Sequence, residues 1–134
     1  PEEANRRSVY VKVMRSMQMP LLINHDMADT DSTCPVRFTT TVPTQALNML
    51  NGKFINDSAK LFAERLRRQA RNNIHKQIKN ALQIVYARPV KQNEIDQCLE
   101  AVNDLISKHN LSEHEALERF SLLALNLNEF LYLD

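Results

Sequence analysis

Glycine is almost missing from this chain: of 134 residues one is Gly, at position 52, and none is Trp. Sheets made of many short strands need glycine at their turns, so the shortage argues against a sandwich or barrel and for helices, which the abundant Leu, Ala, Gln, Asn and Lys suit. No apolar run is long enough to cross a bilayer, and no basic leader followed by an apolar segment opens the chain. One-sided charge is missing as well. Seventeen Lys and Arg stand against sixteen Asp and Glu, which removes any global pull toward nucleic acid or a membrane surface. The two cysteines, Cys34 and Cys98, have no zinc, redox or haem-attachment spacing. Nothing in the pattern brings their Cα atoms within roughly 7 Å, the reach of a disulfide, so two free thiols are expected.

What is there is a chain of one-domain length, 43% apolar and 25% charged, able to bury one core. It begins at Pro1 without an initiator methionine, which reads as a piece of a longer protein. Charge is segregated along it. Lys60 to Lys79 holds seven bases and one acid, whereas Glu94 to the end holds nine acids and two bases. These two stretches are expected to attract each other across the fold.

Residues 1–42 read as mostly extended chain and loop and residues 43–134 as helical, together forming a single domain. Val9, Val11 and Val13 alternate with Tyr10, Lys12 and Met14, the period of a short strand. One helical turn is expected after Pro20, then a polar loop with Asp26, Asp29 and Asp31. The β-branched stretch "VRFTTTV" that follows is extended and available to pair with the first strand. Pro43 opens a helix to about Leu50, closed by Asn51 and Gly52 as a left-handed cap. Asn56 or Asp57 caps a second helix with Leu61, Phe62, Arg65 and Leu66 on one face.

A third helix, about Asn73 to Ala87, carries Ile74, Ile78, Leu82 and Val85 on one stripe and is stopped by Pro89. A fourth, about Gln92 to Lys108, turns Ile95, Cys98, Leu99, Val102, Leu105 and Ile106 inward. The last begins with Ser112 as cap, Glu115 completing a capping box and Leu111 stapled on Ala116. Its Leu117, Phe120, Leu123, Leu127 and Leu131 make it the expected central helix. Asn126, Asn128 and Glu129 interrupt that apolar run and need partners, because an unpaired buried polar group costs roughly 1 to 3 kcal/mol. The predicted fold is therefore mainly α, a bundle of four to five helices with a short extended or β segment at the N-terminus.

The candidate chemistry is sparse. The acids around His25 and Asp26 fail the calcium-loop pattern, since Cys34 stands where that turn needs glycine and no acid closes it, so no metal is expected. Cys34 as a nucleophile requires His25 or Arg37 to converge on it, and a small packed cysteine is the commoner case. The basic run Arg65, Arg67, Arg68, Arg71, Lys76 and Lys79 has no aromatic after Phe62 for bases to stack on. It therefore reads as a solvated or acid-docked face with no nucleic-acid partner. His75, His109 and His114 lack a ligand spacing and receive no role.

The order of motifs is more specific than any of these. "RRSVYVKVMR" (6–15), "PLL", "CPVRFTTTVPTQALNMLN" (34–51), "YARP" (86–89) and the terminal "LNLNEFLYLD" resemble the C-terminal half of a planctomycete-specific domain of unknown function. Relatives usually have phenylalanine at position 25 and glycine at position 87, where this chain has His25 and Ala87. The resemblance implies a large parent protein, exported to the periplasm or cell surface. It implies a c-type cytochrome module elsewhere in that parent, and since these residues hold no haem-attachment sequence, no cofactor is expected in this segment.

The resulting expectation is a structural and interaction module whose partners are other domains of the same parent chain, with no membrane span of its own. The alternative is a share of an active site, in which Arg37, Gln45 and the loop acids complete a hydrolase or redox-linked carbohydrate-processing enzyme with upstream domains. The structural candidates are Cys34, Arg37, Thr39, Thr40, Thr41 and Gln45 on one side and Asn126, Asn128 and Glu129 on the other. The Cys34 to Gln45 motif is expected to pack on the last helix, with Arg37 or a threonine hydroxyl bonded to one of those three polar residues or to that helix's last carbonyls.

Overall fold

The computed structural model describes residues 7–10, 12, 14, 18–28, 40 and 42–132. Among them are seven α-helices and no strand, and the chain gathers into two compact units, residues 1–48 and 49–134.

In the first unit, Ser8–Tyr10 form a single 3-10 turn, with the Tyr10 N–H donating to Arg7 O at 2.9 Å. This corrects the strand predicted from the valine alternation at Ser8 to Tyr10; Met14, at its far end, makes an isolated bridge, and Val11 and Val13 lie outside the described residues. Alternation selects a face, but a strand also needs a neighbouring edge to satisfy its backbone. The turn after Pro20 is present as α1, Pro20–Asn24. Helix α2, Pro43–Asn51, starts at the expected proline, and its entry is fixed by Gln45 at the third helical position. The Gln45 Oε1 accepts the Val42 N–H at 3.4 Å while its Nε2 donates to Thr40 O at 3.0 Å. The first of these is the back-reaching half of a capping box, here made by an amide.

The junction after α2 differs from expectation. Gly52 is extended, with φ −62° and ψ 133°, and serves as the N-cap of α3, Lys53–Gln69. No left-handed cap forms, because α3 starts at the next residue and its own Asn56 does the closing. Asn56, expected as a cap, lies inside α3; its Nδ2 donates to Leu50 O at 3.1 Å, a carbonyl near the end of α2, and to Gly52 O at 3.0 Å, which also accepts the Asn56 N–H.

The second unit is the bundle. Helix α4, Ile74–Tyr86, is capped by Asn73, whose Oδ1 accepts the Lys76 N–H at 2.9 Å. It ends at Ala87, in the left-handed region at φ 51°. Helix α5, Gln92–His109, ends at Asn110, also left-handed at φ 52°. Helix α6, Glu113–Ala124, opens with the predicted capping box: Glu115 N–H to Ser112 Oγ at 3.3 Å and Ser112 N–H to Glu115 Oε2 at 2.9 Å. A short α7, Asn128–Leu131, follows.

Helix α6 packs on α3, α4 and α5, which bears out its central position. Ala63, Leu66, Ile78, Ala81, Leu82, Ile95, Val102, Ala116, Leu117 and Phe120 form the buried core, with Leu111 packed at its margin. The predicted run of α6 to Leu131 is corrected. At Asn126 the side-chain Nδ2 takes Leu122 O at 2.7 Å, the acceptor a continuing helix would offer the Asn126 backbone. That backbone N–H tightens instead onto Leu123 O at 2.9 Å, and the helix stops. Leu123, placed on the apolar face by periodicity, is 52% exposed.

Candidate functional site

Of the residues singled out from the sequence, Cys34, Arg37, Thr39 and Thr41 lie outside the described residues, as do Asp29 and Asp31. The described members fall into two separate arrangements. In the first unit, the Asp26 carboxylate accepts from the Thr40 backbone N–H at 2.6 Å and from Thr40 Oγ1 at 2.7 Å. Gln45 in turn holds Thr40 O. Asp26 is left-handed at φ 56°, a conformation its short polar side chain tolerates. His25 turns its Nδ1 onto Leu21 O at 2.9 Å. This loop acid is thus occupied with backbone and hydroxyl groups fourteen residues on.

In the second unit, Asn126 bonds Leu122 O and Met49 O, the Asn128 carbonyl accepts the Tyr132 N–H at 2.9 Å, and Glu129 meets Arg88. Arg88 was quoted in the "YARP" motif but carried no role there, and it organises a polar cluster that joins α4, α5 and α7. Its Nε and Nη2 donate to the two carboxylate oxygens of Glu129, both at 2.9 Å. Nη1 and Nη2 donate to those of Glu94 at 3.2 and 2.8 Å, and Nη1 also reaches Pro89 O at 3.2 Å. Five donors make five bonds, with two forked carboxylates, the geometry for which guanidinium is suited. The guanidinium carbon lies 4.4 Å from the Tyr86 ring centroid, a cation–π contact.

The backbone explains why these groups meet. Left-handed Ala87 reverses the chain after α4 and Glu94 sits in the first turn of α5, where it also accepts the Lys91 N–H at 2.7 Å. Arg88 holds the Glu94 carboxyl down at about 2, helped by the Lys91 N–H, and lowers that of Glu129. The two carboxylates, Glu129 first, raise the Arg88 guanidinium in return. A cation with every donor engaged has nothing left to offer a ligand, so this cluster fastens α7 to the α4–α5 turn. Beside it, burial raises the Tyr86 hydroxyl and pushes up the thiol of Cys98, which is free.

The open polar site lies elsewhere in the bundle. A cleft of about 550 Å³ is lined by Glu64, Arg67, Arg68 and Arg71 from α3 and the turn after it, by Gln77 of α4, and by Glu113 and His114 of α6. Among the described residues no ion pair joins Lys60–Lys79 to an acid from Glu94 onward, although α3 packs on α6 and Glu113 shares the cleft lining with Arg67, Arg68 and Arg71. Several of those acids are held elsewhere: Glu94 and Glu129 by Arg88, Asp104 by Lys108, Glu118 by His114 and Glu115 by the cap at Ser112. His75 and His109 line no such site; His114, assigned no role from spacing, does. No group of three His, Cys, Asp or Glu side chains placed to hold a metal occurs among the described residues, and none of their helices is long and apolar enough to cross a membrane.

A family model described as PSD1, protein of unknown function (DUF1553), matches residues 1–102. The chain belongs to this family. The DUF1553 match takes in both the Cys34 to Asn51 stretch and the Tyr86 to Pro89 motif and ends inside α5, so Glu129, the second carboxylate on Arg88, lies beyond it. No curated protein and no solved structure matches the chain.

Proposed function

We propose that this DUF1553 chain is a structural and interaction module of a large multidomain protein, docking on other domains of the same parent chain. The observation that carries this reading is on α3. Ile55, Ala59, Ala63 and Leu66 are its buried stripe, and Phe54 and Leu61, seven residues apart and therefore on one face, stand on the opposite side at 50% and 61% exposure. Paired aromatic and aliphatic side chains on the outer face of a charged helix suit a surface covered by a further domain. A cysteine placed at Phe54 or Leu61 is expected to alkylate fast in the isolated segment and slowly within the complete parent protein; equal rates in both would remove the docking role.

Family resemblance supports the remaining context, an exported parent with a c-type haem in another part and none held by this segment. Cell fractionation of the parent organism and the haem absorbance of the purified parent test these two points separately. A parent retained in the cytoplasm, or one without haem, would narrow the proposal to the docking role.

A further inference from the structure

We infer that the arginine-lined cleft of the bundle binds a small tetrahedral oxyanion, phosphate or sulfate, free or as an ester on a compact polar molecule. This goes beyond the docking role, which rests on Phe54 and Leu61 earlier in α3.

Three observations converge on it. Arg71 has no partner among the described residues, and Arg68 reaches only Glu64, at 3.9 Å. Two guanidinium groups on the cleft wall are thus available to fork onto an oxyanion. Arg67, the third, is already oriented. Its Nη1 lies 3.3 Å from His114 Nδ1, and the other ring nitrogen of His114 lies 3.3 Å from Glu118 Oε1. Arginine only donates, so Nδ1 accepts and Nε2 carries the proton toward Glu118, which fixes both the imidazole tautomer and the guanidinium it steers. Placing Arg67 and Arg68 in the last turn of α3 favours that helix by itself. It does not account for Arg71, nor for a histidine of α6 spent on turning Arg67.

The size and rim of the cleft select a small ligand over a polymer. Glu64 and Glu113 share its lining and repel a continuous phosphate backbone, while no Phe, Tyr or Trp lines it for successive bases to stack on. The same carboxylates are acceptors for hydroxyl groups carried beside the anion on an ester.

The test uses inorganic phosphate and sulfate, titrated at low ionic strength into the folded chain and followed by calorimetry and amide chemical shifts, with chloride as the screening control. Saturable 1:1 binding is expected, with shifts confined to the α3–α4 turn and the start of α6. Arg71→Gln and Arg67→Lys should each weaken it by about tenfold or more, the second because the charge remains and the fork is lost. Arg65→Gln, exposed on α3 outside the cleft, should leave it unchanged. No saturation beyond the chloride response, or equal losses in Arg65→Gln and Arg71→Gln, overturns the site. Binding of a DNA or RNA oligonucleotide that depends equally on Arg65, Arg71 and Lys79 also overturns it, in favour of an extended polyanion path. Arg71 is exposed in a turn, so Arg71→Gln is expected to melt as the parent does, which separates lost binding from lost folding.

Discussion

The two units of this chain are held by different forces. Residues 49–134 bury a continuous set of Leu, Ile, Val, Ala and Phe side chains from four helices. Residues 1–48 bury, among their described members, one side chain, and it is the amide of Gln45. What orders that unit locally is a chain of hydrogen bonds from Asp26 to Thr40 to Gln45 to Val42. A core gains roughly in proportion to the apolar area it removes from water, whereas a hydrogen bond nets only about 1 kcal/mol because water competes for the same groups. The lesson is that motif density and stability are separate: the stretch richest in specific polar residues orders a loop, and a plainer stretch supplies the free energy.

The largest break in that contrast is Phe120→Ala. Phe120 is 2% exposed in the core, and its removal should cost about 3 to 5 kcal/mol through lost burial and a residual cavity. Chemical denaturation checks this, and a loss near that of a surface change would deny the bundle its single core. Next is Arg88→Met, which strands Glu94 and Glu129 against each other and should lower the melting temperature by about 5 °C or more. It also carries a pH signature. Because the Glu94 carboxyl is lowered from 4.5 to about 2 in the folded chain, its stabilisation is complete above 4.5 and lost as pH falls toward 2. The acid slope of stability over that window should flatten in Arg88→Met and persist in Arg65→Gln; identical slopes would mean the ion pairs are decorative.

Gln45→Ala sharpens the comparison from the other side. It should cost about 1 kcal/mol, the usual worth of a helix cap, seen as faster amide exchange in the first turn of α2 with the melting of the bundle unchanged. A shift of the bundle's own transition would show that the two units unfold as one. The smallest effect expected is a gain. Ala87 is a left-handed residue with a Cβ, at φ 51°, so Ala87→Gly should stabilise by about 1 kcal/mol, offset in part by the entropy glycine adds to the unfolded chain. A loss on that substitution would mean that the turn after α4 is held by something other than local conformation.

Much of the bundle was legible because its signals are local. Asn73 and Ser112 with Glu115 are caps readable from three or four neighbouring residues, and Ile78, Leu82, Ile95 and Val102 recur at the helical period. Position 87 was legible in a subtler way: the resemblance implies glycine there, and the positive φ shows why. The failures share a cause too. Whether Val9 and Tyr10 join a strand depends on an edge elsewhere, and whether α6 continues past Ala124 depends on Asn126 taking Leu122 O from the backbone. The expected bond from Arg37 or a threonine to the C-terminal polar residues falls largely outside the described residues; the partner that Glu129 does have, Arg88, lies forty-one positions away, beyond any local pattern.

The amino-acid order by itself thus determined the helical class, the spacing of most helices, the capping box of α6 and the inward stripes of α4 and α5, because these follow from backbone geometry and side-chain period within a few residues. Only the tertiary structure decided which charges meet. Arg88, Glu94 and Glu129 share one knot and Arg67 turns toward His114 across an open cleft, since the pairing of polar groups is set by which helix ends the packed core brings together, and that information is spread over the whole chain.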